Sequence, residues 1–424
     1  MMKKSRLTVM NRVLPSLLLA AALITGSAYA RNVQFDEDNT LQAGRILPPE
    51  LVSGPNHTVK QLVINDGYLN IYTIESPFGQ LKAVSTTQLR QYVHELNAVR
   101  RMELLSNSSE FQSGLKGKVE DVAKGAKNLV LNPVDTLTGS VSGIAAVFGR
   151  VGEAVTSRST SEAEDSRLEG AIGFSKTKRD YAYEFKVDVY SRNQIMQDRL
   201  NKLSWSQYGG SLTTSALLMA IPGGVGTAVS FAGGNELMNK VYRDTPPNEL
   251  RNRSRTKLKA MRVSADVIDL YIRNRVFTPR EQNDIVEALA GMPNTMDRAE
   301  FIKFAVLTEN ADIAYFRWRQ ADMYLNYHRT VAPIARFVPF GITAAALTKN
   351  GALVFNVPID YFRWTPQTSE FAIRVNELAG RIPGVRAKHL RIEGSASPQA
   401  RKSLEQLGWK VFEGAAGNPP AATK

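Results

Sequence analysis

The chain has no cysteine among its 424 residues, so no disulfide can stabilise the fold that it adopts. The same absence excludes a thiolate metal site and a cysteine nucleophile. A chain of this length exceeds the usual size of one domain and can bury a sizeable core. Its stability must therefore come from ordinary packing, in two or three units.

Residues 1–30 have the pattern of a secretory signal peptide. Basic side chains precede an apolar run from Val13 to Ile24, and Ala28-Tyr29-Ala30 places small residues at the two positions that a signal peptidase inspects. The apolar run is about half as long as the roughly 20 residues that a membrane-spanning helix needs, so cleavage is favoured over retention as a membrane anchor. We therefore expect an exported protein of the periplasm or cell envelope, with a mature chain that begins at Arg31.

The mature chain is expected to carry a net positive charge. Removing the leader leaves 49 of the 53 basic residues against 40 acidic ones, a net charge of +9. Outside the cytoplasm the abundant polyanions are lipid head groups, lipopolysaccharide and acidic glycans. The expected partner is an anionic lipid, an envelope polyanion or a protein, and no nucleic acid is expected. The alternative is a basic protein with no polyanion partner.

The two ends of the mature chain have strand patterns and the middle has helical ones. From His57 to Ser85, β-rich runs are separated by a turn signal at Asp66-Gly67, which predicts a small antiparallel meander. Thr87 to Leu105 has the apolar spacing of a helix that covers this meander. From Ala352 to Phe412 strands alternate with helices, which predicts a small parallel sheet. The predicted fold class is α+β and mainly helical, with a central helical domain and a short C-terminal α/β unit.

These patterns also divide the chain into segments. The predicted order is a signal peptide (1–30), a meander with its helix (31–110), glycine-rich basic amphipathic helices (111–156), a linker (157–170), a helical domain (171–330), an α/β unit (331–413) and a disordered tail (414–424).

Two segments have sequences that suit either a membrane location or a place in the protein's own core. Phe111 to Val155 has a basic amphipathic pattern weakened by glycines, which suits recruitment to a membrane interface but also a pair of helices docked on the protein's own core. Leu203 to Asn235 has no charged residue, yet Ile221-Pro222-Gly223-Gly224 divides it into two short arms. A buried helical hairpin is therefore favoured over a membrane-inserted one.

Several helix boundaries in the middle of the chain are marked by capping signals. Thr278-Pro279-Arg280-Glu281 combines an N-cap, a first-turn proline and a capping-box glutamate, and Ser264 is expected to cap another helix. The helix from about Ala311 to Tyr327 is rich in aromatic residues. Aromatic side chains at this density indicate a core more often than a ligand site.

A basic helix that begins at Pro246-Pro247 and runs to about Met261 is the strongest candidate site. Four cations at positions i, i+4, i+8 and i+11 form one row beside an apolar row that can be buried. Like charges at this spacing repel by a few tenths of a kcal/mol each, so the row is unfavourable unless something negative lies opposite. The alternative is neutralisation by acids such as Asp284 or Glu287. The predicted anion-binding residues are Arg251, Arg255, Lys259 and Arg262, and the apolar row is Leu250, Leu258 and Met261.

Signatures of catalysis are weak. Gly224-Val225-Gly226 begins a dinucleotide-binding pattern with Asp244 twenty residues on, but Val229 occupies the third glycine position. The four histidines lack zinc-binding spacing, and the serines at 395 and 397 lack the glycines of a nucleophile elbow. We therefore predict no cofactor, no metal and no identifiable catalytic residue.

Two hypotheses remain for the function. The first is a non-catalytic envelope protein that meets an anionic membrane surface or an envelope partner. The second is a periplasmic hydrolase whose active site is dispersed in sequence, with Asp360 and Ser395 as the first residues to inspect.

Overall fold

The computed structural model describes residues 34–108, 111, 176–207, 236–341 and 343–415. Helices hold about 51% of these residues and strands about 21%, which confirms a mixed α+β fold with more helix than strand. The signal peptide, nearly all of the segment from Phe111 to Val155, the linker, most of the uncharged run from Leu203 to Asn235 and the tail from 416 onward lie outside the described residues. No described helix has both the length and the apolar character needed to cross a bilayer.

The N-terminal sheet is antiparallel throughout, and its central strand β5 pairs with β3, β4 and β6. The strands predicted between His57 and Ser85 are antiparallel, but β3 and β4 both pair with β5 instead of with each other, and two short strands that were not predicted precede them. In the predicted turn, Asp66 Oδ1 accepts hydrogen bonds from Tyr68 N and Leu69 N, and Gly67 has a φ of +103° that suits only glycine. The elements are β1 (Thr40–Gln42), α1 (Ala43–Ile46), α2 (Pro49–Val52), β2 (Ser53–Gly54), β3 (His57–Val59), β4 (Leu62–Asn65), β5 (Asn70–Ser76) and β6 (Gly79–Val84).

The long helix α3 (Thr86–Ser106) links this sheet to the helical part of the molecule. It begins where Ser85 Oγ accepts a hydrogen bond from Gln88 N at 3.1 Å. One face, with Leu89 and Leu96, packs on the N-terminal sheet as predicted, and the C-terminal half, with Met102, shares a hydrophobic cluster with three further helices. Those helices are α4 (Lys176–Glu184), α5 (Gln194–Gln207) and α6 (Glu236–Asp244).

Five more helices complete the middle of the chain. The predicted capping box is present, since Thr278 Oγ1 accepts from Glu281 N and the Glu281 carboxylate accepts from Thr278 N. Ser264 lies at an N-cap position, but its side chain makes no capping hydrogen bond, so that part of the prediction was wrong. The aromatic side chains of α11 lie in the core, as predicted. The helices are α7 (Pro247–Ala260), α8 (Ala265–Arg273), α9 (Pro279–Ala290), α10 (Ala299–Ala305) and α11 (Ala311–Thr330).

The C-terminal sheet has the order β13-β11-β9-β8-β7. Strands β9, β11 and β13 are parallel, as predicted, but β7 and β8 form an antiparallel hairpin that makes the sheet mixed. The hairpin was not predicted because β7 contains Pro339 and β8 is rich in alanine, both poor strand residues. The elements are β7 (Ile334–Phe340), β8 (Thr343–Thr348), β9 (Ala352–Val357), β10 (Tyr361–Phe362), α12 (Pro366–Gly380), β11 (Ala387–Ile392), β12 (Ser395–Ala396), α13 (Pro398–Gln406) and β13 (Trp409–Phe412).

The carboxylate of Asp360 joins the two ends of the chain. Its Oδ2 accepts from Asn70 N and its Oδ1 from Thr86 N, both at 2.9 Å. The backbone adds to this junction, because Asp360 N and Tyr361 N both donate to Tyr68 O. The N-terminal sheet and the C-terminal unit are therefore held together by side-chain hydrogen bonds between residues 274 and 290 positions apart.

The segment before β1 is also held by the C-terminal unit. Asp36 Oδ2 accepts hydrogen bonds from Trp364 N at 2.7 Å and from Ser397 Oγ at 2.5 Å. The same Ser397 hydroxyl accepts from Ala400 N and so serves as the N-cap of α13. The beginning of the described chain thus contacts one of its last helices.

Replacing Asp360 by asparagine tests this junction. The amide keeps one oxygen acceptor but turns an NH₂ group toward a backbone N–H, which leaves buried donors unsatisfied. We expect Asp360→Asn to lower the free energy of unfolding by about 1–3 kcal/mol, measured by urea denaturation at pH 7.5. Burial raises the pKa of Asp360 to about 6, so this carboxyl is ionised at that pH.

Glu370→Gln is the matched control, because Glu370 pairs with Arg374 on the exposed side of α12. This change should cost no more than about 0.5 kcal/mol. An equal loss of stability in both variants would contradict the role assigned to Asp360.

Candidate functional site

The basic helix α7 buries the flank that the sequence predicted. Leu250, Leu258 and Met261 are 1%, 0% and 9% exposed and belong to the core. The helix opens with Pro247 at its first position, as predicted, and ends at Ala260. Its opposite flank faces solvent and carries the row of cations.

The four predicted anion-binding residues have different surroundings. Arg251 Nη1 donates to Asn248 Oδ1 at 3.2 Å, and Arg255 forms an ion pair with Asp269 of α8. Lys259 is exposed in the last turn of α7. Arg262 is exposed but lies beyond the helix, with a φ of +61° that turns the chain toward α8. The helix therefore holds three members of the row, and Arg262 follows its end.

The acids proposed to neutralise the row lie elsewhere. Glu287 accepts from Lys257 Nζ at 2.6 Å, beside the row, and Asp284 contacts Arg280 and Tyr242. In the predicted row, Arg255 has an ion pair with a carboxylate, whereas Lys259 and Arg262 have none within the part of the chain that the structure describes. Neutralisation of the row is therefore partial.

Helix α8 brings a further cation and an apolar side chain to the same surface. The hydrogen bond from Arg255 lowers the pKa of Asp269, and the charges of Arg273 and Lys259 act in the same direction. One carboxylate is thus surrounded by three cations. Leu270, next to this carboxylate in sequence, is 55% exposed. Sequence reasoning missed Arg273 and Leu270, although Leu270 is out of phase with the buried positions of its helix, Ile268 and Tyr271.

We call the surface formed by Lys259, Arg262, Leu270 and Arg273 the cationic face. Within the described ranges, no ion pair joins its three cations to a carboxylate. Lys259 lies near the C-terminal end of α7, where the helix dipole favours positive charge. The dipole offsets part of the repulsion between the cations, so the face can persist without an acidic partner.

The residues singled out for hydrolysis do not assemble a catalytic triad within the described structure. Ser395 meets Asp360 only through the backbone, where Ser395 N donates to Asp360 O at 3.0 Å. The Asp360 carboxylate is occupied by the two backbone amides described above. The four histidines contact other groups, among them Leu51 O for His57, Lys186 O for His94, Ile334 N for His328 and the Phe412 ring for His389.

Metal and dinucleotide sites find no support in the described residues either. No group of three or more histidine or acidic side chains is placed to hold a metal ion in that part of the chain. The glycine pattern at 224–226 lies outside it, and Asp244 is paired with the neighbouring Arg243 at 2.8 Å.

No protein-family model, curated protein or solved structure matches the chain. The cationic face therefore has to be interpreted from its own chemistry.

A buried carboxyl on α3 is the most perturbed acid of the helical region. Glu95 is 1% exposed and accepts from Gln91 Nε2 and Ser191 Oγ, both at 2.9 Å. Burial raises its pKa to about 8, even though these hydrogen bonds act in the opposite direction. Perturbed carboxyls often mark active sites. Glu95, however, is enclosed by its neighbours and hydrogen-bonded to them, so we assign it a structural role.

The raised pKa of Glu95 predicts how stability depends on pH. The folded state binds the proton more tightly than the unfolded state, so stability falls as pH rises from about 5 to about 8. Glu95→Gln removes this ionisation. We expect the variant to match the wild type at pH 5 and to exceed it by roughly 2–4 kcal/mol at pH 8, because one pKa unit corresponds to about 1.4 kcal/mol.

Urea denaturation at both pH values measures the difference, with the exposed Glu405→Gln as control. A stability gap between Glu95→Gln and the wild type that stays constant from pH 5 to pH 8 would show that Glu95 does not titrate in this range.

Proposed function

We propose that this chain is an exported, non-catalytic protein of the cell envelope that associates with an anionic membrane surface through the cationic face. The observation that carries the proposal is the exposure of Lys259, Arg262, Arg273 and Leu270. Within the described residues these three cations form no ion pair, and Asp269, the one carboxylate whose pKa Lys259 and Arg273 lower, is already paired with Arg255. The export signal read from residues 1–30 supports the location.

The chemistry of the face favours a lipid surface over a purely polar polyanion. Cationic side chains near an anionic bilayer contribute about 1 kcal/mol each, and an exposed leucine can enter the boundary between head groups and acyl chains. Three cations and Leu270 therefore supply roughly 3–4 kcal/mol, which is enough for weak and reversible binding. Binding as weak as this is strengthened by a second contact between the chain and the membrane.

The segment from Phe111 to Val155 is the proposed second contact. Its sequence is basic and amphipathic, and its glycines lower its intrinsic helicity, so a membrane interface could order it. Two weak contacts on one chain reinforce each other, because binding of the first raises the effective concentration of the second. The cationic face would then set the charge preference and the amphipathic segment would add affinity.

Vesicle co-sedimentation of the mature chain tests the proposal. We expect binding to phosphatidylglycerol vesicles at low salt, little binding to phosphatidylcholine vesicles, and release at about 0.5 M salt, where screening is strong. The triple variant Lys259→Glu, Arg262→Glu, Arg273→Glu should bind anionic vesicles at least tenfold more weakly, since attraction becomes repulsion at three positions.

The matched control is Arg45→Glu, Lys349→Glu, Lys402→Glu. It changes the net charge by the same amount at exposed cations elsewhere on the surface. The proposal fails if the wild type stays in the supernatant with both lipids, or if the control loses as much binding as the triple variant.

A further inference from the structure

One edge of the C-terminal sheet gathers cations and aromatic rings on a single face. The parallel register of β11 and β13 places His389 opposite Lys410 and Arg391 opposite Phe412. Side chains of paired residues, and of residues two positions apart on one strand, point to the same face of a sheet. The register therefore brings these four side chains together.

Arg391 is held between two aromatic rings. Its guanidinium carbon lies 5.2 Å from the ring centroid of Tyr327 on α11 and 5.3 Å from that of Phe412. Both distances are typical of cation–π contacts, which fix the plane of the guanidinium. The side chain is half-buried, and this burial lowers its pKa.

Two other side chains that carry nitrogen atoms contact the Phe412 ring. Lys410 Nζ lies 5.1 Å from the ring centroid, and the His389 ring lies edge-on at 5.0 Å. Burial lowers the pKa of His389, and the nearby charges of Lys410 and Arg391 lower it further. The group is therefore a compact set of three nitrogen donors, which we call the Arg391 site.

No acid in the described part of the chain balances this site. Arg391 and Lys410 have no ion pair or hydrogen bond there, and His389 has only its ring contact. The adjacent acid, Glu413, is engaged with Arg401 and Ala396 N. Other arginines that are more buried do have hydrogen-bond partners, such as Arg319 with the Glu393 carboxylate at 2.8 Å and Arg317 with Thr343 Oγ1 at 2.8 Å. A half-buried guanidinium that is oriented by aromatic rings and has no acidic partner is suited to binding an anion.

We propose that the Arg391 site binds the phosphate group of a phosphate ester, as a ligand site separate from the cationic face. The flat fork of a guanidinium, an ammonium and an imidazole offer more donors than the two oxygens of a carboxylate can use. A phosphate group has enough oxygens to accept from all three. The half-buried position of Arg391 suits a small head group rather than an extended polyanion.

The test uses the folded mature chain with inorganic phosphate as the probe. Imidazole resonances of the four histidines are followed by NMR, and His389→Gln assigns the signal of interest. Phosphate, added at constant ionic strength against chloride, should move the His389 resonance with a saturable, millimolar dependence. Arg391→Lys keeps the charge but loses the fork, and we expect at least tenfold weaker binding.

Lys410→Met provides a second variant that does not endanger the fold, because Lys410 is exposed. It should weaken phosphate binding several-fold, whereas the matched change Lys402→Met on α13 should leave it unchanged. The proposal is overturned if phosphate up to 100 mM moves the resonance no more than chloride does. An identical response of wild type, Arg391→Lys and Lys410→Met would overturn it as well.

Two further measurements identify whether the bound phosphate group belongs to a free ester or to a lipid head group. If glycerol phosphate saturates the site and Arg391→Lys leaves vesicle binding unchanged, the ligand is a free ester. If Arg391→Lys also weakens sedimentation with phosphatidylglycerol vesicles, the ligand is a lipid head group. The triple variant of the cationic face should keep its phosphate response, so failure of the two proposals can be distinguished.

Discussion

The fold depends on polar contacts between its two ends, and above all on the Asp360 carboxylate. Two backbone amides, from Asn70 in β5 and from Thr86 at the start of α3, donate to the two oxygens of this side chain. A second bridge runs close by, since Glu393 accepts from Arg319 and from Thr87. A chain without cysteine cannot use disulfides to hold distant segments together, and these enclosed hydrogen bonds take that role.

Acidic side chains that are paired inside the protein are not available to neutralise cations at its surface. Enclosed carboxylates such as Glu281 and Glu393 are committed to arginine partners at 2.6 and 2.8 Å, and breaking such a pair would leave a charge without compensation. Acids are fewer than bases in this chain. The surplus of positive charge is displayed at the cationic face, where it suits a broad anionic surface, and at the Arg391 site, where it suits a single group.

The spacing of residues along the chain predicted those structural features that depend on close neighbours in sequence. The turn at Asp66-Gly67, the capping box at Thr278 and the buried flank of α7 all depend on neighbours within a few residues. The pairing of Arg255 with Asp269 depends on how two helices pack, and the Arg391 site depends on the register of two strands. Spacing along the sequence predicts neither the packing of two helices nor the register of two strands. The hairpin of β7 and β8 was missed for a different reason, because its alanine-rich strand is stabilised by burial rather than by propensity.

Hydrogen exchange of the mature chain, with and without phosphatidylglycerol vesicles, tests the central claim most directly because it locates the contact. Amides of the turn between α7 and α8 and of the adjoining helix ends are expected to exchange more slowly on anionic vesicles, within residues 255–275. Phosphatidylcholine vesicles should leave them unchanged. Exchange that stays the same in this region while the protein is bound to anionic vesicles would contradict the account.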